Sequence, residues 1–182
     1  MTTANKITIV RILLIPVFMA AMLIESRYSS IAAFIIFILA SLTDGIDGYI
    51  ARKYNQITSF GKFMDPLADK LLVTSAILIF VQWGQMSAWA AMLIITREFA
   101  VTGMRLVAAV EGNVIAAGMS GKIKTVTSIV GICFMLTPLH AAEIIPGLLT
   151  VDSLAVFLIV ITTVWSGAEY FIKNYRILLR SK

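Results

Sequence analysis

Apolar runs of about bilayer length fill most of this chain, and they decide its fold class before any other feature does. A membrane-crossing helix needs about 20 mostly apolar residues, and its backbone polar groups must be satisfied within the helix. Six runs answer that description: Ile7–Ile24, Ile31–Ile50, Pro66–Val81, Ala88–Val110, Val126–Leu139 and Val151–Ile172. The fifth is short, and the fourth carries Arg97, Glu98 and Arg105, so it is not a plain lipid-facing span. Hydrophobic residues make up 59% of the chain, against roughly 45–50% in a soluble domain. The runs are too many and too evenly spread for a signal peptide followed by a soluble domain. The expectation is an all-α integral membrane protein of six transmembrane helices, one domain over residues 1–182. Short connections at Glu25–Ser30, Trp83–Ser87 and His140–Thr150 join the spans, with no repeat or low-complexity linker.

Basic residues orient the spans. With both termini in the cytoplasm, only Arg27 of the 15 lysines and arginines falls on the far side, a strong positive-inside asymmetry. Trp83 and Trp89 flank the turn between the third and fourth helices, as interfacial tryptophans do. The net charge of +5 points to anionic lipid or phosphate ligands. It does not point to nucleic acid, because no basic stripe with interleaved aromatics lies on a soluble segment.

Four of the five aspartates lie between Asp44 and Asp69, at the cytoplasmic ends of the second and third helices. A carboxylate at a helix centre in the bilayer costs roughly 2.5–3.5 kcal/mol on insertion scales, and four together repel one another. Asp44 and Asp47 are three apart and share a helix face with the small residues Gly48 and Ala51. Asp65 and Asp69 are four apart and stack on the third helix, with Pro66 suited to an early position there. Residues 52–64 read as the turn that brings both pairs together. Two divalent cations would balance the four negative charges, and paired metals are a device for displacement at phosphorus. Cys133 is the single cysteine and His140 the single histidine. A bound metal must therefore take oxygen ligands, which favours Mg²⁺, Mn²⁺ or Ca²⁺. For any one aspartate the plainer role is helix capping or pairing with Arg52, Lys53, Lys62 or Lys70.

Further polar residues stand out in apolar surroundings. Asn5-x-x-Thr8-x-x-Arg11 opens the first helix, either as an Asn N-cap with a basic interfacial anchor or as part of a functional site. An arginine midway along a span, such as Arg97 or Arg105, is a functional candidate by default, with Glu98 free to pair with another helix. Lys122 and Lys124 are either snorkelling lysines at the cytoplasmic interface or, with the two arginines, a cradle for a phosphate dianion. Cys133 and the nine methionines read as packing. His140 and Glu143 read as loop residues on the far side.

The segment DGIDGYIARKYNQITSFGKFMDPLAD resembles the signature of the CDP-alcohol phosphotransferase family at all its constrained positions. The resemblance implies a six-helix membrane enzyme, a homodimer, that displaces CMP from a CDP-linked donor with a hydroxyl acceptor. It implies that Asp44, Asp47 and Asp65 ligate two divalent cations, Mg²⁺ or Mn²⁺, and that Asp69 is the general base and also touches metal. It further implies that Gly48, Arg52 and Thr58 contact the CDP moiety, with Ala51 and Gly61 beside them and Asn5, Thr8 and Arg11 facing the nucleotide. TREFAVTGMR and GKIKT are similar to segments of the bacterial branch whose donor is CDP-diacylglycerol and whose acceptor is sn-glycerol 3-phosphate. In that branch Arg97, Arg105, Lys122 and Lys124 would bind the acceptor's phosphate, with the active site facing the cytoplasm across the bacterial inner membrane. The alternatives are the same chemistry on inositol phosphate, serine or phosphatidylglycerol, or a transporter with an acidic cation site.

Overall fold

The computed structural model describes residues 2–24, 28–53, 58–110, 115 and 118–180, and within these no side chain at 3, 4, 44, 46–52, 59, 60, 62, 63, 110 or 176–180. Among the described residues six α-helices follow one another: α1 (Thr3–Leu23), α2 (Ser29–Lys53), α3 (Ser59–Gln82), α4 (Ala88–Val110), α5 (Met119–Leu136) and α6 (Val151–Arg180). The α3–α4 turn passes through Gly84 at φ 72°, a left-handed conformation that glycine adopts without penalty. Between α5 and α6 the expected plain loop holds more structure. A 3₁₀ turn, Pro138–Ala141, leads into a small antiparallel ribbon of β1 (Glu143–Ile145) and β2 (Leu149–Thr150), closed at Gly147 with φ 70°. Trp83 and Trp89 are both exposed beside the α3–α4 turn.

Among the described residues, three helices are long and apolar enough to cross a bilayer: Asn5–Leu23, Met119–Leu136 and Val151–Tyr175. The others have the length but are interrupted by charge. The apolar part of α2 is Ser29–Thr43, ending where Asp44 begins the acidic motif. Asp65, Asp69 and Lys70 lie in the first half of α3, and Arg97, Glu98 and Arg105 are spread along α4. Side chains such as Leu13, Leu39, Leu106 and Phe157 are exposed along the helices, more apolar surface than a water-soluble monomer carries.

Several boundaries differ from those read in the sequence, α6 among them, which runs on to Arg180 rather than ending at Ile172. Thr58 caps α3, its hydroxyl accepting from the Gly61 N–H at 3.0 Å, so the helix starts at Ser59. Pro66 therefore lies well inside the helix rather than near its start. It removes the N–H that would bond the Lys62 carbonyl, an interruption that membrane helices tolerate. Thr2, not Asn5, caps α1, accepting from the Asn5 N–H at 3.3 Å. α5 starts at Met119 rather than Val126, because its first turns are helical but polar, and hydropathy does not register them.

The contacts divide the chain into two compact units, Met1–Trp83 with Leu136–His140, and Gly84–Met135 with Ala141–Lys182. In the first, α1 packs on α2 and α3. The buried face of α1 runs through Asn5, Thr8, Arg11, Ile15, Phe18 and Met22, the three-and-four spacing of one helical stripe. Ala33, Phe37 and Ala40 of α2 are fully buried, and the Phe18 and Phe37 rings meet at 5.8 Å and 47°, a favourable tilted pairing. In the second unit α4 packs on α6, with Val101, Met104 and Tyr170 forming a buried cluster. α5 and α6 meet at Gly131.

That meeting is close. A Cβ on Gly131 would lie 2.7 Å from Ile159 Cδ1 and 3.1 Å from Cγ1, and Ile159 is buried. Gly131→Ala sets an overpacking cost of roughly 1–3 kcal/mol against a helix-propensity gain of about 1 kcal/mol, so it should fail to raise, and is expected to lower, thermal stability in detergent. Ile159→Val in the same chain should recover part of the loss by removing Cδ1. A melting temperature raised by the single variant, as the helix-propensity gain alone would give, would contradict this packing.

Candidate active site

The first unit gathers polar side chains where α1 meets the start of α3. The Thr8 hydroxyl donates to Asp65 Oδ1 at 2.8 Å. The Thr58 hydroxyl, while capping α3, donates to Asn5 Oδ1 at 2.9 Å. Gly61 lies between them: a Cβ there would meet Asn5 Oδ1 and Thr58 Oγ1 at 3.2 Å each, and Asp65 Oδ2 at 3.6 Å. Only a residue without a side chain leaves these oxygens where they are. One turn further along α1, Arg11 Nε donates to Thr43 Oγ1 at 3.3 Å, and that hydroxyl donates to the Ala40 carbonyl at 2.7 Å. Thr43 immediately precedes Asp44, so α1 touches both acidic helices beside their aspartates.

Asp65 is half-buried and Asp69, one turn on, is exposed. Lys70 donates to the Pro66 carbonyl at 3.3 Å, and Lys53 is exposed. The side chains of Asp44, Asp47, Gly48, Ala51 and Arg52 lie outside the described residues. The α2 backbone is helical from Ser29 to Lys53, which is the condition for Asp44 and Asp47 to share a face. Among the described residues no three acidic, histidine or cysteine side chains gather into a metal site. The donor chemistry nonetheless fits a hard divalent cation. Asp65 presents carboxylate oxygens, one already held by a hydroxyl, as ligating carboxylates characteristically are.

The second unit carries the four candidate cations on two helices. Arg97 Nη1 donates to Glu98 Oε1 at 3.2 Å, and Lys124 of α5 pairs with the same carboxylate oxygen. Arg97 Nη2 donates to Ser166 Oγ of α6 at 2.8 Å. A Cβ on Gly167 would lie 3.1 Å from Arg97 Cγ, so glycine there admits the arginine stem against α6. Arg97 is largely buried and Lys124 buried, whereas Arg105 and Lys122 are exposed. The Arg105 guanidinium lies 5.6 Å from the centre of the Tyr170 ring, within cation–π range. The expected partner for Glu98 on another helix is thus Lys124. Ser166, Gly167, Tyr170 and Thr43 contribute to these arrangements and were not singled out in the sequence. The adjacent Ser166-Gly167 pair within an apolar span was the available signal. The same unit holds an apolar cleft of about 460 Å³ lined by residues such as Val130, Phe134, Leu154 and Leu158, with no charged side chain among the described residues of its wall.

The chain is similar over nearly its whole length to named enzymes. It is 47% identical to the CDP-diacylglycerol–glycerol-3-phosphate 3-phosphatidyltransferase of Bacillus subtilis, covering 97% of each chain. It is 40% identical to a probable phosphatidylglycerophosphate synthase of Mycobacterium tuberculosis, over 95% of this chain and 81% of that one. It is 35% identical to the CDP-diacylglycerol–glycerol-3-phosphate 3-phosphatidyltransferase of Rickettsia felis, over 92% of each. The CDP-alcohol phosphatidyltransferase family profile matches residues 1–165, a stretch that contains the acidic motif, the α1 polar face and all four cations. On these matches the chain belongs to the CDP-alcohol phosphatidyltransferase family.

Proposed function

We propose that the chain transfers the phosphatidyl group of CDP-diacylglycerol to sn-glycerol 3-phosphate, giving phosphatidylglycerol phosphate and CMP. The observation that carries this reading is the end-to-end 47% identity to a transferase named for that donor and acceptor. In this reading the chain lies in the bacterial inner membrane as a homodimer, with six spans, both termini and the active site on the cytoplasmic side.

Asp44, Asp47, Asp65 and Asp69 hold two divalent cations, Mg²⁺ or Mn²⁺, which supply positive charge to the diphosphate and the departing CMP. Asp69, exposed on α3, accepts the proton of the acceptor hydroxyl. The hydroxyl oxygen forms a bond to the lipid-side phosphorus, and the bond from that phosphorus to the bridging oxygen breaks. The electron pair leaves with CMP, whose phosphate Arg52 helps to stabilise. Gly48, Ala51, Thr58 and Gly61 shape the surface on which the CDP moiety lies. Arg97, Arg105, Lys122 and Lys124 hold the acceptor's phosphate. Glu98 neutralises one of those four charges, leaving three against a dianion. The exposure of Arg105 and Lys122 favours them as the direct contacts. An acceptor without a phosphate leaves the exposed Arg105 and Lys122 without an anion to bind.

Three measurements test this. Purified protein supplied with CDP-diacylglycerol should release CMP with sn-glycerol 3-phosphate, lose activity in EDTA and regain it with Mg²⁺ or Mn²⁺. Turnover only with inositol phosphate, serine or phosphatidylglycerol would replace the acceptor assignment. Asp69→Asn should lower kcat by about 10²–10⁴-fold, the contribution of a positioned base; near-normal turnover would remove Asp69 from that role. Arg105→Ala should raise the KM for glycerol phosphate about tenfold or more, as for the loss of a charged hydrogen bond worth roughly 1.5–3 kcal/mol, with little change in the KM for CDP-diacylglycerol. A KM change confined to the lipid would contradict its assignment.

A further inference from the structure

The apolar cleft between α5 and α6 has no part in the proposed reaction. Val126, Val130 and Phe134 of α5 form one wall, Leu154 and Leu158 of α6 the other, and Ile144 of β1 completes it at the ribbon. Both helices are among those long and apolar enough to cross a bilayer, so the cleft opens onto hydrocarbon. Lys122 and Lys124 stand in the first turns of α5, and the cleft follows the later turns, away from them. From Val126 to Phe134 it runs about 12 Å along the helix, close to the roughly 15 Å of hydrocarbon in one leaflet. The ribbon beside it is held in place. The Val151 N–H that begins α6 donates to the Ala142 carbonyl at 3.0 Å, and the Gly147 N–H donates to Glu143 Oε2 at 3.2 Å. Ile145 and Leu148 of the ribbon are exposed, which suits an element resting at the boundary of headgroups and acyl chains.

Three occupants could fill such a cleft: water, a helix of a second copy, or an acyl chain. Water needs several polar partners, and Thr127 brings the one hydroxyl among the described lining residues. Membrane helices approach one another through small residues. Here the small residues turn inward: a Cβ on Gly131 would lie 2.7 Å from Ile159 Cδ1 and 3.7 Å from Ala155 Cβ. What faces outward is bulky, for Val126, Val130, Phe134 and Leu158 are all exposed. A flexible hydrocarbon chain can follow a wall of that kind where a second helix cannot seat closely. We infer that the cleft is a binding site for an acyl chain of a resident membrane phospholipid, drawn from the leaflet opposite Lys122 and Lys124. In the proposed orientation that leaflet is the one away from the active site, so the donor's own tails do not compete for it.

The probe is phosphatidylethanolamine with a diazirine in one acyl chain, neither substrate nor product of the proposed reaction, in vesicles that hold the full chain. After illumination, peptide mapping should find adducts on Val126–Phe134 or Leu154–Leu158 several-fold above those at Val164, which is exposed on α6 outside the cleft. Val130→Trp and Leu158→Trp each fill the cleft from an exposed position, and Val164→Trp adds bulk outside it. Either cleft variant should lose the excess labelling, and Val164→Trp should keep it. Native mass spectrometry should show a retained phosphatidylethanolamine in the wild type and in Val164→Trp, and its loss in the cleft variants. Subunit number and the KM for CDP-diacylglycerol should not change. Labelling spread evenly over the exposed faces of α5 and α6 would overturn the inference, and that result needs only the wild-type chain, whether or not the tryptophan variants fold. Cleft variants that split a dimer would make the cleft a contact between two copies. A several-fold rise in their KM for CDP-diacylglycerol would give it to the donor's tail. Either result would overturn the inference. A chain labelled in the cleft but inactive with every acceptor would fail the proposed function and leave this inference standing.

Discussion

The hydrogen bond from Thr8 to Asp65 joins the two halves of a problem that the rest of the first unit is arranged around. Carboxylates beside lipid are costly to keep ionised, and a floppy carboxylate is a poor ligand or base. α1 answers with a stripe that changes character along its length. Its first turns bury Asn5, Thr8 and Arg11 against the acidic helices, and its later turns bury Ile15, Phe18 and Met22 against apolar neighbours. The apolar half anchors the helix, and that anchoring sets the register of the polar half. A rotation of α1 large enough to free Thr8 from Asp65 would also unseat Phe18 from Phe37. Packing and site geometry are thus the same constraint.

The second unit repeats the principle with opposite charge. α5 buries Ser120, Lys124 and Ser128 in its first turns and Ile132 and Met135 towards its end. α6 buries Ala155 and Ile159 early, then Thr163 and Ser166. Glu98 gives the buried Lys124 and the largely buried Arg97 a shared counter-ion, and Ser166 takes another of the arginine's donors. A buried cation without such partners would be strongly destabilising. The charges that remain exposed, Arg105 and Lys122, are the ones able to meet a solvated phosphate.

The helices and the acidic motif were legible because they depend on local spacing. Apolar run length located all six helices, and the three- and four-residue intervals paired the aspartates. Helix starts were less legible. Polar first turns concealed the beginning of α5, and the threonine cap that starts α3 at Ser59 is a single hydroxyl with no hydropathy signature. The chemistry of Asn5, Thr8 and Arg11 was visible as a pattern, but its direction was not. Whether a buried polar face points at a ligand or at a neighbouring helix depends on packing between residues more than fifty positions apart, as for Thr8 and Asp65. Glu98 was expected to seek another helix, yet its partner Lys124 and the role of Ser166 needed the assembled unit. The same holds for Gly61 and Gly167, whose missing side chains matter only because of the atoms that face them.

In the proposed displacement an acceptor hydroxyl attacks the lipid-side phosphorus of CDP-diacylglycerol. That attack is tested most directly by supplying sn-glycerol 3-phosphate with ¹⁸O in its hydroxyl oxygens and examining the products by ³¹P NMR and mass spectrometry. The expected result is an isotope-shifted phosphodiester in the lipid product, with the label bridging glycerol and phosphorus, and CMP that carries none. Phosphatidic acid together with a labelled cytidine-containing product would place the attack on the other phosphorus. A lipid phosphodiester without the label would mean that the acceptor hydroxyl is not the nucleophile. Either result would contradict the assigned chemistry.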